Sequence, residues 1–224
     1  MKKILFFVCT LLCANVLLAQ TTFWIGDLQY EVTSTNPAKV EVNDANESIT
    51  TANIPETVNY EGTTYSVTSI GNGAFSYCLN LTSVDIPNSI TSIGDNAFYG
   101  CKSLTSVTIP NSVIYIGEMA FSFCFKLTSI TLPNSITTIE VATFQCCPID
   151  NPNISPDGVT YIGEGAFRGC SRLDFINIPS NVTYIDSYAF SMCSNLRYVN
   201  FENPSDDLVI NSNAFFNSGG IGNE

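Results

Sequence analysis

From Ile70 onward one phrase returns every 23 residues, and a period of that length admits only architectures in which a small unit stacks on copies of itself. One unit runs from Ile93 to Tyr115 as Ile-Gly-Asp-Asn-Ala-Phe-Tyr-Gly-Cys-Lys-Ser-Leu-Thr-Ser-Val-Thr-Ile-Pro-Asn-Ser-Val-Ile-Tyr. Its isoleucine recurs as Ile70, Ile93, Ile116, Ile139, Ile162 and Ile185, and its phenylalanine as Phe75, Phe98, Phe121, Phe144, Phe167 and Phe190. Cysteine follows at Cys78, Cys101, Cys124, Cys147, Cys170 and Cys193, then leucine at Leu81, Leu104, Leu127, Leu173 and Leu196. No unit is long enough to bury its own apolar face, so neighbouring units must build the core together.

Within a unit, Leu104 to Ile109 alternates apolar and small polar residues of β-branched type, which predicts a half-buried strand, and Pro110-Asn111-Ser112 then turns the chain. Val113 to Ile116 reads as a second extended piece. Gly117 to Cys124 is too short for an independent helix and predicts one helical or 3₁₀ turn that drops Ala120 and Phe121 inward. Upstream, Phe23 to Ile25, Gln29 to Thr33 and Lys39 to Val42 read as strands, with a hairpin over Tyr60 to Tyr65. Together they form the amino-terminal β cap that a solenoid needs to cover its first apolar face.

The phrase Ile-Gly-x-x-Ala-Phe-x-x-Cys-x-x-Leu-x-x-Val-x-Ile-Pro resembles the BspA-like branch of the leucine-rich-repeat family. The resemblance implies an α/β fold: a right-handed, curved leucine-rich-repeat solenoid with a parallel concave sheet and short helical or irregular convex segments. The expected organisation is a signal peptide over 1–19, a cap over 20–69, the solenoid over 70–216 and a flexible tail over 217–224. Two units depart from the phrase. In the unit opening at Ile139, Glu140 replaces glycine, and Asp150, Asn153 and Ser155 occupy apolar positions. A one-residue slip that brings Ile149 and Ile154 into the core is preferred over a local kink or binding feature, because arrays with nearest-neighbour coupling tolerate degenerate units. Near the end, two residues are inserted around Asn203 to Asp207.

Lys2 and Lys3 ahead of a mostly apolar run from Ile4 to Leu18, closing on Ala19, read as an export signal, the run being too short and too interrupted for a membrane span. Its removal takes two of eight basic residues and none of the twenty acidic ones, moving the formal charge from −12 to −14. That field repels phosphate, and no Lys/Arg cluster offsets it, so nucleic acid is excluded as a partner. An exported location follows, secreted or at the cell surface, with the periplasm as an alternative.

Six of the seven cysteines beyond the expected signal fall on one repeat position, so their side chains point the same way and read as small apolar core fillers rather than disulfides. Cys146 and Cys147 are adjacent, which does not match the spacing of cysteine metal ligands. The chain has no histidine, which removes imidazole-based triads and metal sites. The carboxylates considered for glycosidase chemistry, Asp85, Glu118, Glu140 and Asp174, fall in different parts of different units. Gly94, Gly117 and Gly163 read as backbone turns rather than a phosphate loop. A non-enzymatic chain with no cofactor and no metal is expected.

Residues between the buried strand positions face outward as ladders: Ser83, Ser106, Ser129, then Phe175 and Tyr198; and Asp85, Thr108, Thr131, then Asn177 and Asn200. The early units present a bland hydroxyl face. The later ones add aromatics beside Arg197, residue types that carry binding energy in interfaces. The candidate contact is therefore Phe175, Asn177, Arg197, Tyr198 and Asn200. The family resemblance implies adhesion to a host or cell-surface protein through the concave face, with an extended glycan ligand or a structural surface-layer role as alternatives.

Overall fold

A computed structural model describes residues 21–150, 157–202, 204 and 206–220. The expected signal segment, Asn153 to Ser155 and the last four residues lie outside them. The first strands are β1 (Thr22–Ile25), β2 (Leu28–Thr35), β3 (Ala38–Ala45), β4 (Thr51–Asn53), β5 (Thr57–Tyr60) and β6 (Thr63–Ile70). Later coils supply β7 (Ser83–Asp85), β8 (Ser92–Ile93), β9 (Ser106–Thr108), β10 (Tyr115–Ile116), β11 (Ser129–Thr131) and β12 (Thr138–Ile139). They are followed by β13 (Tyr161–Ile162), β14 (Phe175–Ile178), β15 (Tyr184–Ile185), β16 (Tyr198–Phe201) and β17 (Val209–Ile210).

These strands form a parallel β-solenoid of about seven turns. On one side β4 pairs with β7, β9 with β11 and β14 with β16, all parallel. On another, β3, β6, β8 and β10 run in sequence, as do β12, β13, β15 and β17, again parallel. The registers are those of the repeat: Ile70 lies opposite Ile93 and Ile93 opposite Ile116. The cap adds the antiparallel pairs β1 with β2, β2 with β3 and β5 with β6. Glu61 and Gly62, both at positive φ, make the two-residue turn of the hairpin expected over Tyr60 to Tyr65. Phe23 stacks on Tyr60 at 4.0 Å inside the cap, and burial pushes the neighbouring Tyr30 phenol up to about 12.

The α/β assignment and the helical convex segments are corrected: no helix occurs among the described residues, and the fold is all-β. The reason lies in the backbone of the turn segment. Counting the repeat isoleucine as the first residue, the fourth and eighth have positive φ in coil after coil, for example Asn96 (56°) with Gly100 (68°), and Met119 (54°) with Phe123 (61°). A left-handed residue every fourth position prevents helix propagation. The amides instead alternate. Ala74, Ser76 and Cys78 donate to the carbonyl three residues back, whereas Gly73, Phe75 and Tyr77 donate to Asp95, Ala97 and Tyr99 of the next coil at 2.7 to 2.9 Å. The segment thus commits half its donors to the stack, and those bonds set the rise from coil to coil.

Gly94, Gly117 and Gly163 do not turn the backbone through positive φ. They lie where adjacent coils approach: a Cβ on Gly94 would sit 2.7 Å from the Asn72 backbone nitrogen. The core is a set of ladders. The six repeat phenylalanines, Phe75, Phe98, Phe121, Phe144, Phe167 and Phe190, are all buried, and with Phe215 they form one near-parallel stack, centroids 5.0 to 5.7 Å apart. Each buried ring contributes up to about 3 kcal/mol by leaving water. The thiols of Cys101, Cys124, Cys147, Cys170 and Cys193 each donate to the phenylalanine carbonyl of the preceding coil at 3.0 to 3.3 Å. Burial pushes the Cys78 thiol up to about 11 and raises that of Cys101. The ladder cysteines are free, buried packing residues.

Candidate functional site

The ladder face is the outward side of β7, β9, β11, β14 and β16. Alternation along β9 buries Val107 and exposes Ser106 and Thr108, and β7 likewise exposes Ser83 and Asp85. Thr82 and Thr105, which precede these strands, donate their hydroxyls to the carbonyl of the corresponding threonine one coil earlier, Thr82 to Thr50 at 2.9 Å. Those hydroxyls hold the stack together. At the amino-terminal end, β4 completes a polar groove of about 420 Å³ lined by Thr51, Asn53, Ser83, Asp85, Ser106 and Thr108. Thr51 and Asn53 precede the first full unit, but Ile49-Thr-Thr-Ala-Asn-Ile-Pro55 repeats the second half of the phrase as Leu81 to Pro87 does, and that half-phrase is the signal that marks them. Their parallel register with Ser83 and Asp85 brings them to the face.

At the far end, β14 and β16 pair in parallel with Phe175 opposite Tyr198 and Asn177 opposite Asn200. Four of the five candidate residues are thereby brought together on neighbouring strands. Asn200 Nδ2 donates to Asn177 Oδ1 at 3.0 Å, starting an amide ladder, and Tyr198 is 71% exposed beside the half-buried Phe175. Arg197 is exposed immediately before β16, its backbone nitrogen donating to the Asp174 carbonyl at 2.7 Å. The irregular coil lies between the two ends. Ile149 is fully buried at the leucine position, and the Asp150 amide donates to the Thr128 carbonyl as Thr128 itself does to Thr105. This is the one-residue slip as far as Ile149; Ile154 lies outside the described residues. Asp150 Oδ2 accepts from Arg172 Nη2 at 3.0 Å, tying the irregular coil to the next.

A different edge gathers carboxylates. Glu118 and Glu140 follow repeat isoleucines of adjacent coils and are neighbours in space, closer than their scatter along the sequence implied. Partial burial raises the Glu140 carboxyl, with the charges of Glu118 and Asp95 adding to the effect. Along this edge the Tyr161 hydroxyl donates to Asp186 Oδ2 at 2.6 Å, which lowers the Asp186 carboxyl and pushes the Tyr161 phenol up to about 12. No group of three or more Cys, Asp or Glu residues suited to hold a metal ion exists among the described residues.

The profile of the BspA type leucine-rich repeat region matches residues 45–155 and 92–222, in six copies. The chain is a BspA-type leucine-rich-repeat protein. The repeat protein is similar in structure to a leucine-rich repeat protein from Bacteroides ovatus, 34% identical with a TM-score of 0.69, over 80% of this chain and 53% of that one. It thus spans about half the length of that relative. A leucine-rich repeat protein from T. pallidum is 24% identical, TM-score 0.69, over 84% of this chain and 92% of the other, and shows the fold alone. One from Eubacterium ventriosum does the same at 22% identity and a TM-score of 0.67, over 89% and 50%. No curated protein matches the chain. No helix of the described residues is long and apolar enough to cross a membrane.

Proposed function

We propose that the repeat protein is an exported, non-enzymatic binding module that adheres to a host or cell-surface protein through the concave ladder face. Phe175, Asn177, Arg197, Tyr198 and Asn200 form the contact. The observation that carries this reading is the in-register pair of β14 and β16, which sets an exposed Tyr198 beside Phe175 and a bonded asparagine pair on a rigid sheet. Rigid aromatic groups lose little entropy on binding, and backbone pairing holds these in place before a ligand arrives. Proteins of this repeat family are often surface proteins, and the basic start and apolar run ahead of Ala19 support export.

The polar groove at the opposite end favours a second reading, an extended glycan lying along Asn53, Asp85 and Thr108. The test is a binding screen of residues 20–224 against arrays of extracellular-matrix proteins and of glycans. Tyr198→Ala alone and combined with Phe175→Ala serve as variants, with thermal melting as the folding control. A protein hit weakened about tenfold in either variant supports the contact. A hit indifferent to both variants refutes it; a glycan hit moves the role to carbohydrate capture, and silence on both arrays leaves a structural surface-layer role.

A further inference from the structure

Charge is segregated around the coil. From the fourth to the eleventh residue of every unit from Ile70 onward the sequence contains no Asp or Glu, although the chain has 20 of them. Lys102, Lys126, Arg168 and Arg172 all fall in that interval. Arg172 is engaged by Asp150, which stands just past the interval in the irregular unit. The other acidic residues of these coils include Asp95, Glu118, Glu140 and Glu164, which sit one or two residues after the repeat isoleucine instead.

This edge, which has no carboxylate of its own in the repeat units although Asp44 and Glu47 of the cap lie near Cys78 in its first coil, also carries exposed and half-buried rings. Tyr77 meets Tyr99 edge-on at 5.3 Å, Tyr99 meets Phe123 at 5.4 Å, and Phe123 meets Phe125 at 5.9 Å, a row crossing three coils. Tyr77 is 58% exposed and Phe125 50%. Gly100 makes room for the row, since a Cβ there would lie 3.1 Å from the Tyr77 ring. Neither hydrophobic burial nor the repeat phrase requires large apolar side chains at these outward positions. Exposed apolar area gathered in one strip marks an interaction site.

We propose that this edge is a second docking surface, distinct from the ladder face, which holds an acidic segment of a partner protein that also presents apolar side chains. The cations of the later coils, Lys102 and Lys126 foremost, and the lack of carboxylates in the edge's own repeat units select acidic groups, and the ring row supplies the apolar contact at which binding energy concentrates. Successive rings lie 68° to 74° from one another, so no flat platform is offered to a sugar. An anionic bilayer would also face the neighbouring row of Asp95, Glu118, Glu140 and Glu164. A short segment senses only charges within the Debye length of about 8 Å.

The test pans a displayed library of random linear peptides on the folded chain and measures the enriched peptides by fluorescence anisotropy. Two double variants are compared: Tyr77→Asn with Phe125→Ser, asparagine tolerating the positive φ of 58° at position 77, and Lys102→Glu with Lys126→Glu. The expected peptides combine Asp or Glu with aromatic or aliphatic residues. They should lose about tenfold in affinity to either variant and none to Tyr198→Ala, which separates this surface from the ladder face. Peptides without acidic enrichment, peptides that bind the variants as well as the parent, or no enrichment at all overturn the proposal. So does variant-sensitive binding to phosphatidylglycerol vesicles, or variant-sensitive self-association in sedimentation, in the absence of such peptides.

Discussion

Phe121→Ala is the sharpest probe of how the stack is held. Phe121 is fully buried and lies between Phe98 at 5.1 Å and Phe144 at 5.7 Å. Truncating a buried phenylalanine costs about 3 to 5 kcal/mol in lost transfer and cavity formation. Two ring contacts disappear, each worth roughly 0.5 to 1.5 kcal/mol within that total, and the stacked backbone above and below resists collapse into the gap. A loss of about 4 kcal/mol is therefore expected. Phe215 ends the same stack, half-buried and with Phe190 as its ring partner at 5.2 Å, so Phe215→Ala should cost about half as much. Urea unfolding followed by far-ultraviolet circular dichroism reads both. Because coupling passes only between neighbouring coils, a gap at Phe121 should also divide the array. Fluorescence of Trp24, the single tryptophan, then reports the capped half, and its midpoint should separate from that of circular dichroism. A loss below about 2 kcal/mol for Phe121→Ala, or an equal loss for Phe215→Ala, refutes the idea that a continuous ring stack carries the coupling.

Three further outcomes follow from the same structure. Among the cysteines after Gln20, the partly exposed Cys146 should react with a thiol reagent in the folded state and the six buried ladder thiols only on unfolding, so Cys146→Ser abolishes the fast phase. Glu140 has a folded-state carboxyl raised first by burial and then by Glu118 and Asp95, so it binds protons more tightly folded than unfolded and loses stability as pH rises through the carboxylate range. Glu140→Gln should therefore gain stability at neutral pH and nothing near pH 3, as denaturation at the two pH values will show. Gly165 has φ of 61°, and a Cβ added there would meet nothing nearer than Arg168 Cβ at 3.8 Å, so backbone strain alone resists substitution. Gly165→Val should cost about 2 kcal/mol and Gly165→Asn under about 1, read from thermal melting.

Much of this molecule was legible in one dimension. A 23-residue period locates every buried Phe, Cys and Leu of the regular coils, because nearest-neighbour stacking turns a sequence repeat into a spatial ladder. The pairing of Phe175 with Tyr198 and Asn177 with Asn200 follows from it. The groove was missed, since Thr51 and Asn53 lie in a half-phrase, Ile49 to Pro55, that stands 32 rather than 23 residues before its counterpart Leu81 to Pro87, and the parallel pairing of β4 with β7 restores the register. The proximity of Glu118 and Glu140 was missed because the stack makes adjacent two positions that lie almost a full repeat apart along the chain.

The repeat itself determined a stacked array, its core-facing residues and the outward ladders, since each depends on which residue types recur and at what spacing. Only the tertiary structure decided that the turn segments are not helical. Their short sequence is compatible with a helical turn, and the choice is made by hydrogen bonds to the next coil, which claim alternate amides and hold Asn96, Met119 and Phe123 at positive φ. Those bonds exist only when a neighbouring coil is present, so no local reading of one unit contains them.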